Sequence, residues 1–496
     1  MRSLSEVRAV RYAVLAAGFD GTLVRDGRCD DHCVAALRAL AASGRKLILT
    51  TSRQLREILD IFPQARLFDY LVAENGAVVH RPSARESAIL APAPSEVLIH
   101  ELRRRAVEPL TVGSVAINTD DRHRASLAQA IDRLHLDCYV LDNGGSIAVL
   151  PIGVSKASGV QYVLDDLGLS ARNLVAVGDA ENDIALFELA EHAVAVANAS
   201  ASLKSAADRV TRAGYAEGVL ELARELLDAD LVGAQTRRRI VIGTGEGQQQ
   251  VWLPSLPCSI LLAGPPASGK AALCNTIVSQ LLAYQYQCCI VGCYSMREER
   301  EHFAGFAVCG DEQSPPRHAD FVACLERPTQ SVVVNVASLH GSARTACVER
   351  ILEHCAAMQS GVGRPHAIVI DEAESLLGPA SIAWSAGLNA ASRIYLTARP
   401  ERLPPTLLES VEVLFALGEP ASALACIREH GNAPGLGTEK GAVPTDQAVM
   451  WIRDSGKAPA RIDPLSTAMR IMPEPQSRAA ARPRVAHSEN GAAAVP

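Results

Sequence analysis

The chain has 496 residues, a formal net charge of −7, and 48% hydrophobic against 21% charged residues. That length exceeds one ordinary core and predicts two or three domains, and the acidic balance excludes a general pull toward nucleic acid or anionic lipid. Aromatic residues at 4% exclude an extended base-stacking platform, and the longest apolar runs fall well short of the roughly 20 residues of a membrane span. The thirteen cysteines form no CxxC pair, so they read as reduced structural thiols of a cytoplasmic protein. Met1 to Glu6 has no signal-peptide core.

Residues 1–81 read as β-α-β-β. Tyr12–Ala17 is an apolar strand that runs into the tight turn Gly18-Phe19-Asp20-Gly21-Thr22-Leu23. A helix follows over Asp31–Ala42, then strands over Lys46–Thr51 and Tyr70–Ala73. Strands alternating with helices predict a parallel, doubly wound sheet, in which ligands bind at the carboxyl ends of the strands. Thr51-Ser52-Arg53 ends the second strand, where a hydroxyl either caps a helix or holds a phosphate oxygen. Glu74-Asn75-Gly76-Ala77 reads as a hairpin turn.

Residues 82–151 read as an inserted α+β cap. It has helices over Ser95–Val107 and Asp121–Leu134, a strand over Leu110–Thr119, and a hairpin of Asp137–Leu141 with Ser146–Leu150 around the turn Asn143-Gly144-Gly145. Lys156 then opens a helix, where it can offset charge on a phosphoryl group. Val175 to Asp183 is a strand entering a turn with three acids, and Asp179 and Asp183 can face one Mg2+ through oxygen ligands.

These stretches resemble the motifs of the haloacid-dehalogenase (HAD) superfamily, in its Cof-like branch. The pattern Asp-x-Asp-Gly-Thr-Leu falls on residues 18–23, Thr51 on the second motif, Lys156 on the third, and Gly178-Asp179-x-x-Asn182-Asp183 on the fourth. Ala195–Ala199, Ala207-Asp208 and Glu217-Gly218-Val219 continue the likeness. The resemblance implies an HAD Rossmannoid core with a substrate-selecting cap. It assigns Asp20 as general acid/base, Thr51 and Lys156 to the phosphate, and Asp20, Asp179 and Asp183 to Mg2+. It also places the nucleophilic aspartate at position 18, which here is Gly18. Glycine can neither attack phosphorus nor bind the metal. The expectation is a phosphatase fold with little or no phosphatase activity that still binds a phosphorylated small molecule or nucleotide.

The second half begins with a connector, residues 229–257, whose Arg237-Arg238-Arg239 cluster reads as a solvated linker before strands Ile240–Ile242 and Val251–Leu253. Ser259–Ala263 is a strand, and Ala271–Tyr284 a helix. Between them lies Gly264-Pro265-Pro266-Ala267-Ser268-Gly269-Lys270. This is the Walker A layout, in which backbone N–H groups wrap the phosphates of ATP and Lys270 reaches the β/γ oxygens. The Ser/Thr expected after the lysine is Ala271, which removes one Mg2+ ligand.

Ala367–Ile370 leads into Asp371 and Glu372, a Walker B resemblance that assigns Asp371 to Mg2+ and Glu372 to the attacking water. Thr397 ends another strand and is either a γ-phosphate contact or a strand-end hydroxyl, with Arg393 and Arg399 near it. The order resembles bacterial HerA/FtsK-like ATPases. That resemblance alone implies nucleic-acid translocation and action between subunits of a homo-oligomer. An acidic segment expected near Val291–Ser295 is absent.

The predicted architecture is therefore α/β. Residues 1–81 and 152–228 form the HAD-like core, 82–151 the cap and 229–257 a linker with a hairpin. A RecA-like P-loop domain follows over 258–420, an extension over 421–471 and a disordered tail over 472–496. The predicted function is a phosphatase-like domain joined to an ATPase; the alternative is a degenerate regulatory protein that binds phosphate or nucleotide.

Overall fold

The computed structural model describes residues 10–465, apart from 26, 235–236, 296–302, 304, 379–387, 389, 434–435, 437–441 and 445. The tail expected to be disordered lies outside these residues.

The first sheet takes its strands from both sides of an insert. β1 (Val14–Gly18), β2 (Lys46–Thr50), β3 (Tyr70–Ala73), β4 (Val78–Arg81) and β5 (Glu86–Ile89) precede it. The insert carries β6 (Thr111–Val112), β7 (Ile117–Asp120), β8 (Cys138–Asn143) and β9 (Ser146–Pro151), and β10 (Leu174–Gly178), β11 (His192–Ala195) and β12 (Arg209–Val210) follow. The order is β12-β11-β10-β1-β2-β3-β4-β5. β12 through β3 are parallel, and the β3–β4–β5 edge is antiparallel. All five residues of β1 and of β10 are buried, as strands covered on both faces must be. Their carboxyl ends bring Gly18–Asp20 beside Gly178–Asp179.

The insert is a separate antiparallel sheet, β6-β7-β9-β8, covered by the helices Glu96–Arg104 and Arg124–Arg133 over a small apolar core that includes Leu98, Leu102, Leu127 and Ile147. The single strand expected over Leu110–Thr119 is broken in two. Backbone N–H groups of Ser114, Val115 and Ala116 donate instead to the carboxylate of Glu74, at 3.0, 2.9 and 3.0 Å. Glu74 thus ties the insert to the turn between β3 and β4.

The second sheet contains β13 (Val241–Thr244), β14 (Gln250–Trp252), β15 (Ser259–Ala263), β16 (Cys288–Gly292), β17 (Ala307–Cys309) and β18 (Val332–Asn335). β19 (Ala367–Ile370), β20 (Ser392–Thr397), β21 (Val413–Leu417), β22 (Ala448–Ile452) and β23 (Ala460–Pro464) complete it. Its order is β14-β13-β23-β22-β21-β15-β20-β19-β16-β18-β17. The run from β21 to β17 is parallel, and the β22–β23 hairpin joins antiparallel to β21. The β13–β14 hairpin, expected within a linker, pairs with β23 and extends this sheet.

Two of the three arginines of that connector are tied down, while Arg239 is exposed, as expected, over the Trp252 ring. Arg237 donates to the carboxylate of Asp208 at 2.9 Å and to Ala206 O at 2.7 Å. Arg238 donates to Glu191 and to the carbonyls of Glu188 and Ala190. They satisfy carbonyls at the end of the helix Ile184–Leu189, which have no intrahelical partner.

The two sheets meet through a buried polar seam. Glu191 pairs with Arg11, Arg172 and Arg238 at 3.3, 3.3 and 3.2 Å and accepts the Tyr286 hydroxyl at 2.5 Å. Gln287 N–H donates to His366 Nδ1 at 2.8 Å, so the ring proton sits on Nε2 and donates to Asn173 Oδ1 at 3.1 Å. Arg364, fully buried, donates to the carbonyl of Gly168 across the seam at 3.0 Å. Among the described residues, no helix is long and apolar enough to cross a membrane.

Candidate functional site

A cavity of about 510 Å3 opens at the carboxyl ends of β1, β2 and β10, with the insert above it. The core lines it with Asp20, Thr51, Arg53, Lys156, Asp179 and Asn182, and the insert with Thr111, Asn118, Asn143 and Ser146. Asp20, Thr51, Lys156 and Asp179, singled out from sequence, converge here from four separate segments.

Their partners define what the site can do. Both oxygens of Asp20 are held by the Arg53 guanidinium, at 2.7 and 2.9 Å in bidentate geometry, and Arg53 also pairs with Glu57. Thr51 is buried, and its hydroxyl oxygen accepts the Arg53 N–H at 3.1 Å, leaving its own proton to donate. Lys156 Nζ is buried and donates to Asp183 Oδ1 at 2.7 Å and to Asn182 Oδ1 at 3.1 Å. The other oxygen of Asp183 accepts the N–H groups of Asp179 and Ala180. Asp179 accepts the Thr22 hydroxyl at 2.7 Å. Burial, followed by the nearby Asp183 charge, raises the Asp179 pKa to about 6.

Position 18 has closed around its glycine. A Cβ built there would lie 2.8 Å from Thr22 Oγ1 and 3.7 Å from Asp183 Oδ2. A side chain at this position would point at the acidic pair, but the Thr22 hydroxyl occupies the approach.

HAD phosphotransferases normally use Mg2+. The residues present fall short of a metal cage. Residue 18 offers no carboxylate, Asp20 is committed to Arg53, and Asp183 to Lys156 and two backbone donors. Among the described residues, no group of three or more His, Cys, Asp or Glu side chains is placed to hold a metal ion.

Sequence reasoning missed the closure of the insert over the core. Asn143, read only as part of a turn, donates to Ser52 Oγ at 2.9 Å and accepts from Asn182 Nδ2 at 2.8 Å. Asn182 also donates to Asn75 Oδ1 at 3.0 Å. The Asn-Gly-Gly turn carried no signal for this, because the partner residues lie in other segments.

A second constellation forms at the end of β15. Gly264, Pro265, Pro266, Ala267, Ser268 and Gly269 form a loop, with Ala267 and Gly269 at φ of 60° and 93°, before the helix Lys270–Ala283. Lys270 Nζ folds over this loop, donating to the carbonyls of Gly264 at 2.5 Å and Pro265 at 2.7 Å. Burial lowers its pKa, against the attraction of Asp371 and Glu374. The Ser268 hydroxyl is buried without a protein partner.

β20 lies between β15 and β19, so Asp371 faces the loop across one strand. Glu372 is exposed at φ 49°. The Thr397 hydroxyl accepts the Arg399 N–H at 3.0 Å, and its carbonyl accepts the Gly264 N–H at 3.1 Å. Arg393, expected near Thr397, is buried at the opposite end of β20.

The family profile described as haloacid dehalogenase-like hydrolase matches residues 15–103 and 100–222. A phosphoglycolate phosphatase of Methanothermobacter thermautotrophicus is 30% identical over 222 residues, covering 43% of this chain and 98% of the relative. One from Haloarcula marismortui is 31% identical over 216 residues, covering 42% of this chain and 94% of the relative. Among solved structures, a haloacid dehalogenase-like hydrolase from Bacteroides thetaiotaomicron aligns with a TM-score of 0.39 at 19% identity, over 44% of this chain and 100% of that one. The sequence match over nearly the full length of these relatives makes this chain, through its first 220 or so residues, a member of the haloacid dehalogenase-like hydrolases.

Proposed function

We propose that the first half binds a small phosphate monoester without hydrolysing it by the covalent route, and that the second half is a P-loop domain that binds and hydrolyses ATP. The observation that carries the first part is the pairing of Gly18 with the Arg53–Asp20 clamp. The groups that hold a phosphate remain: Thr51, Lys156 and the turn at the end of β1. The group that attacks phosphorus is missing, and the adjoining acid is neutralised by Arg53. Positioning and charge stabilisation are left without a covalent intermediate. The matched relatives are named for phosphoglycolate, so the proposed ligand is a phosphorylated metabolite of that size class. Hydroxyl and amide groups of Thr111, Asn118, Asn143 and Ser146 face its non-phosphate end.

The P-loop part is supported by the strand–loop–helix around Lys270, by Asp371 at the end of β19, and by β20 between the two strands. ATP would lie on the loop Gly264–Gly269, with Lys270 released from its own loop carbonyls to meet phosphate oxygens. Asp371 would hold Mg2+, and Glu372 would orient the attacking water.

The test pairs two assays. Phosphate release from phosphoglycolate and a sugar-phosphate panel is expected at background, with calorimetric binding of at least one of these compounds. Mg2+-ATP hydrolysis is expected in the wild type and is expected to fall on the order of a hundredfold in Lys270→Ala. Phosphate release well above background would overturn the first half of the proposal. ATP turnover in Lys270→Ala equal to wild type would overturn the second. The folded-back Lys270 and the missing hydroxyl at Ala271 favour a second reading, a nucleotide-binding regulator without turnover. Lys270-dependent binding with no hydrolysis would select it.

A further inference from the structure

Among the residues that line the cavity at the ends of β1, β2 and β10, the cations are Arg53 and Lys156. They differ in how firmly they are held. The Lys156 and Asp183 side chains are 5% and 0% exposed, and separating that pair would strand a charge away from water. The Arg53 and Asp20 side chains are 35% and 46% exposed. An ion pair in contact with water gains little over its separately hydrated partners. Arg53 is therefore the cation of this cavity that can change partner.

Its guanidinium would stay in the cavity through such a change. The Arg53 backbone is pinned on both sides: its N–H donates to Thr51 Oγ1 at 3.1 Å, and its carbonyl accepts the Glu74 N–H at 3.0 Å. Glu57, one turn into the helix Leu55–Ile61, pairs with a further nitrogen of the same guanidinium. The edge that faces Asp20 donates from Nε and one terminal nitrogen, at 2.7 and 2.9 Å, one bond to each carboxylate oxygen. Two oxygens of a phosphate match that fork equally well. The Thr51 hydroxyl stands beside it with a proton to donate.

A bound phosphate needs its charge met. Asp183 is committed to Lys156 and to the N–H groups of Asp179 and Ala180, so the donor set falls short of a cation cage. Lys156 is committed to Asp183 in turn. That leaves Arg53, and Asp20 holds it. Proton transfer, the role that resemblance assigns to Asp20, serves a nucleophile that position 18 does not carry. A phosphate monoester carries close to two negative charges near neutral pH, more than the carboxylate it would replace, so charge favours the exchange.

We propose that Asp20 is an internal competitor for its own site: a phosphate monoester displaces the Asp20 carboxylate from Arg53 and binds to Arg53 and Thr51 without a divalent cation. This rests on the reading of the first half as a phosphate-monoester site. The displaced carboxylate turns to the water it already touches, and Glu57 keeps the guanidinium aimed inward. Asp20 thus sets a threshold that only an anion stronger than a carboxylate passes. A hydrogen bond to a charged group is strong enough to shift an equilibrium about tenfold.

The experiment is calorimetric titration of the full chain with inorganic phosphate, phosphoglycolate and the sugar-phosphate panel, in EDTA and in Mg2+. The proteins are wild type, Asp20→Asn, Arg53→Gln and the double variant. Wild-type affinity should agree within about twofold between EDTA and Mg2+, and Asp20→Asn should tighten binding about tenfold. Arg53→Gln should weaken it by a similar factor. In the Arg53→Gln background Asp20→Asn should bring no gain, because the competition runs through the guanidinium. A gain that persists in the double variant is long-range charge alone and overturns the exchange. Binding that Asp20→Asn leaves unchanged or weakens, or that requires Mg2+, also overturns it; both results leave the phosphate-site reading standing. No heat of binding for any of these compounds, in wild type and Asp20→Asn alike, overturns that reading and this inference with it.

Discussion

The two halves share a plan and differ in what they have lost. Each has a parallel sheet with acids at strand ends, and each departs from its motif at one position beside those acids. In the first half, on the proposed reading, the absent group is a nucleophile, and the surroundings of residue 18 have closed. Arg53 grips Asp20, Lys156 grips Asp183, and Thr22 fills the approach to residue 18. In the second half, on the proposed P-loop reading, the group absent is a hydroxyl ligand at position 271. A ligand can be supplied from any direction that meets the geometry, whereas a nucleophile must sit in line with the bond it attacks. On the proposed reading, the first absence closes a covalent route and the second removes one metal ligand.

The sharpest way to break this comparison is Gly18→Asp. If position 18 alone closes the covalent route, the variant should release phosphate from phosphoglycolate or a sugar phosphate on the order of 10³-fold above wild type, in the presence of Mg2+. Thr22 must rotate to admit the new side chain, so a modest fall in thermal midpoint should accompany the gain. A folded variant with no gain would show that the Arg53 clamp or the metal donor set has also been lost.

The seam between the halves offers the next largest effect. Glu191→Ala leaves Arg11, Arg172 and Arg238 without their shared carboxylate, and breaking a buried pair this way costs about 3–5 kcal/mol. Urea unfolding of the whole chain is the measurement. A loss under 1 kcal/mol would mean that the Glu191 cluster contributes little to the fold. Third is Lys270→Ala, which should lower Mg2+-ATP turnover on the order of a hundredfold while leaving unfolding unchanged, because among the described residues the Lys270 ammonium donates only to carbonyls of its own loop.

The smallest effect is a pH dependence confined to the first half. Burial depresses the His192 pKa to about 4, with Asp208 opposing and Arg209, Arg11 and Arg237 adding to the depression. The unfolded chain takes up the proton near pH 6.5 and the folded chain does not. Stability is therefore full above about pH 6.5 and falls as the pH drops toward 4. His192→Phe keeps a ring against Tyr12 and cannot titrate. Subtracting its urea-unfolding profile from wild type should leave that slope, and a flat difference would remove His192 from the account.

Much of this was legible along the chain. Strand Tyr70–Ala73 and helix Asp31–Ala42 fall where apolar runs and turn residues placed them. Hydrophobic periodicity is a local signal that tertiary contacts do not override in buried strands. The break in the Leu110–Thr119 strand was not legible. Its cause is a carboxylate some 40 residues earlier, and no local pattern records a partner at that distance. Arg237 and Arg238 failed for the same reason, since a charge run reads as solvated until its acceptors are placed beside it.

By itself, the sequence determined which side-chain groups are absent: Gly18 carries no carboxylate and Ala271 no hydroxyl, and no fold can restore an atom the chain does not carry. It also determined the two strand-end constellations, because their motifs are contiguous and their strands buried. Only the tertiary structure decided how each absence is met. Arg53 turns onto Asp20, and the Asn143–Asn182 bridge shuts the insert over the cavity. Each of these joins residues from different strands. Hydrogen-bond geometry falls off within a few tenths of an ångström, so it is fixed by how the sheets and helices pack rather than by the order of residues along the chain.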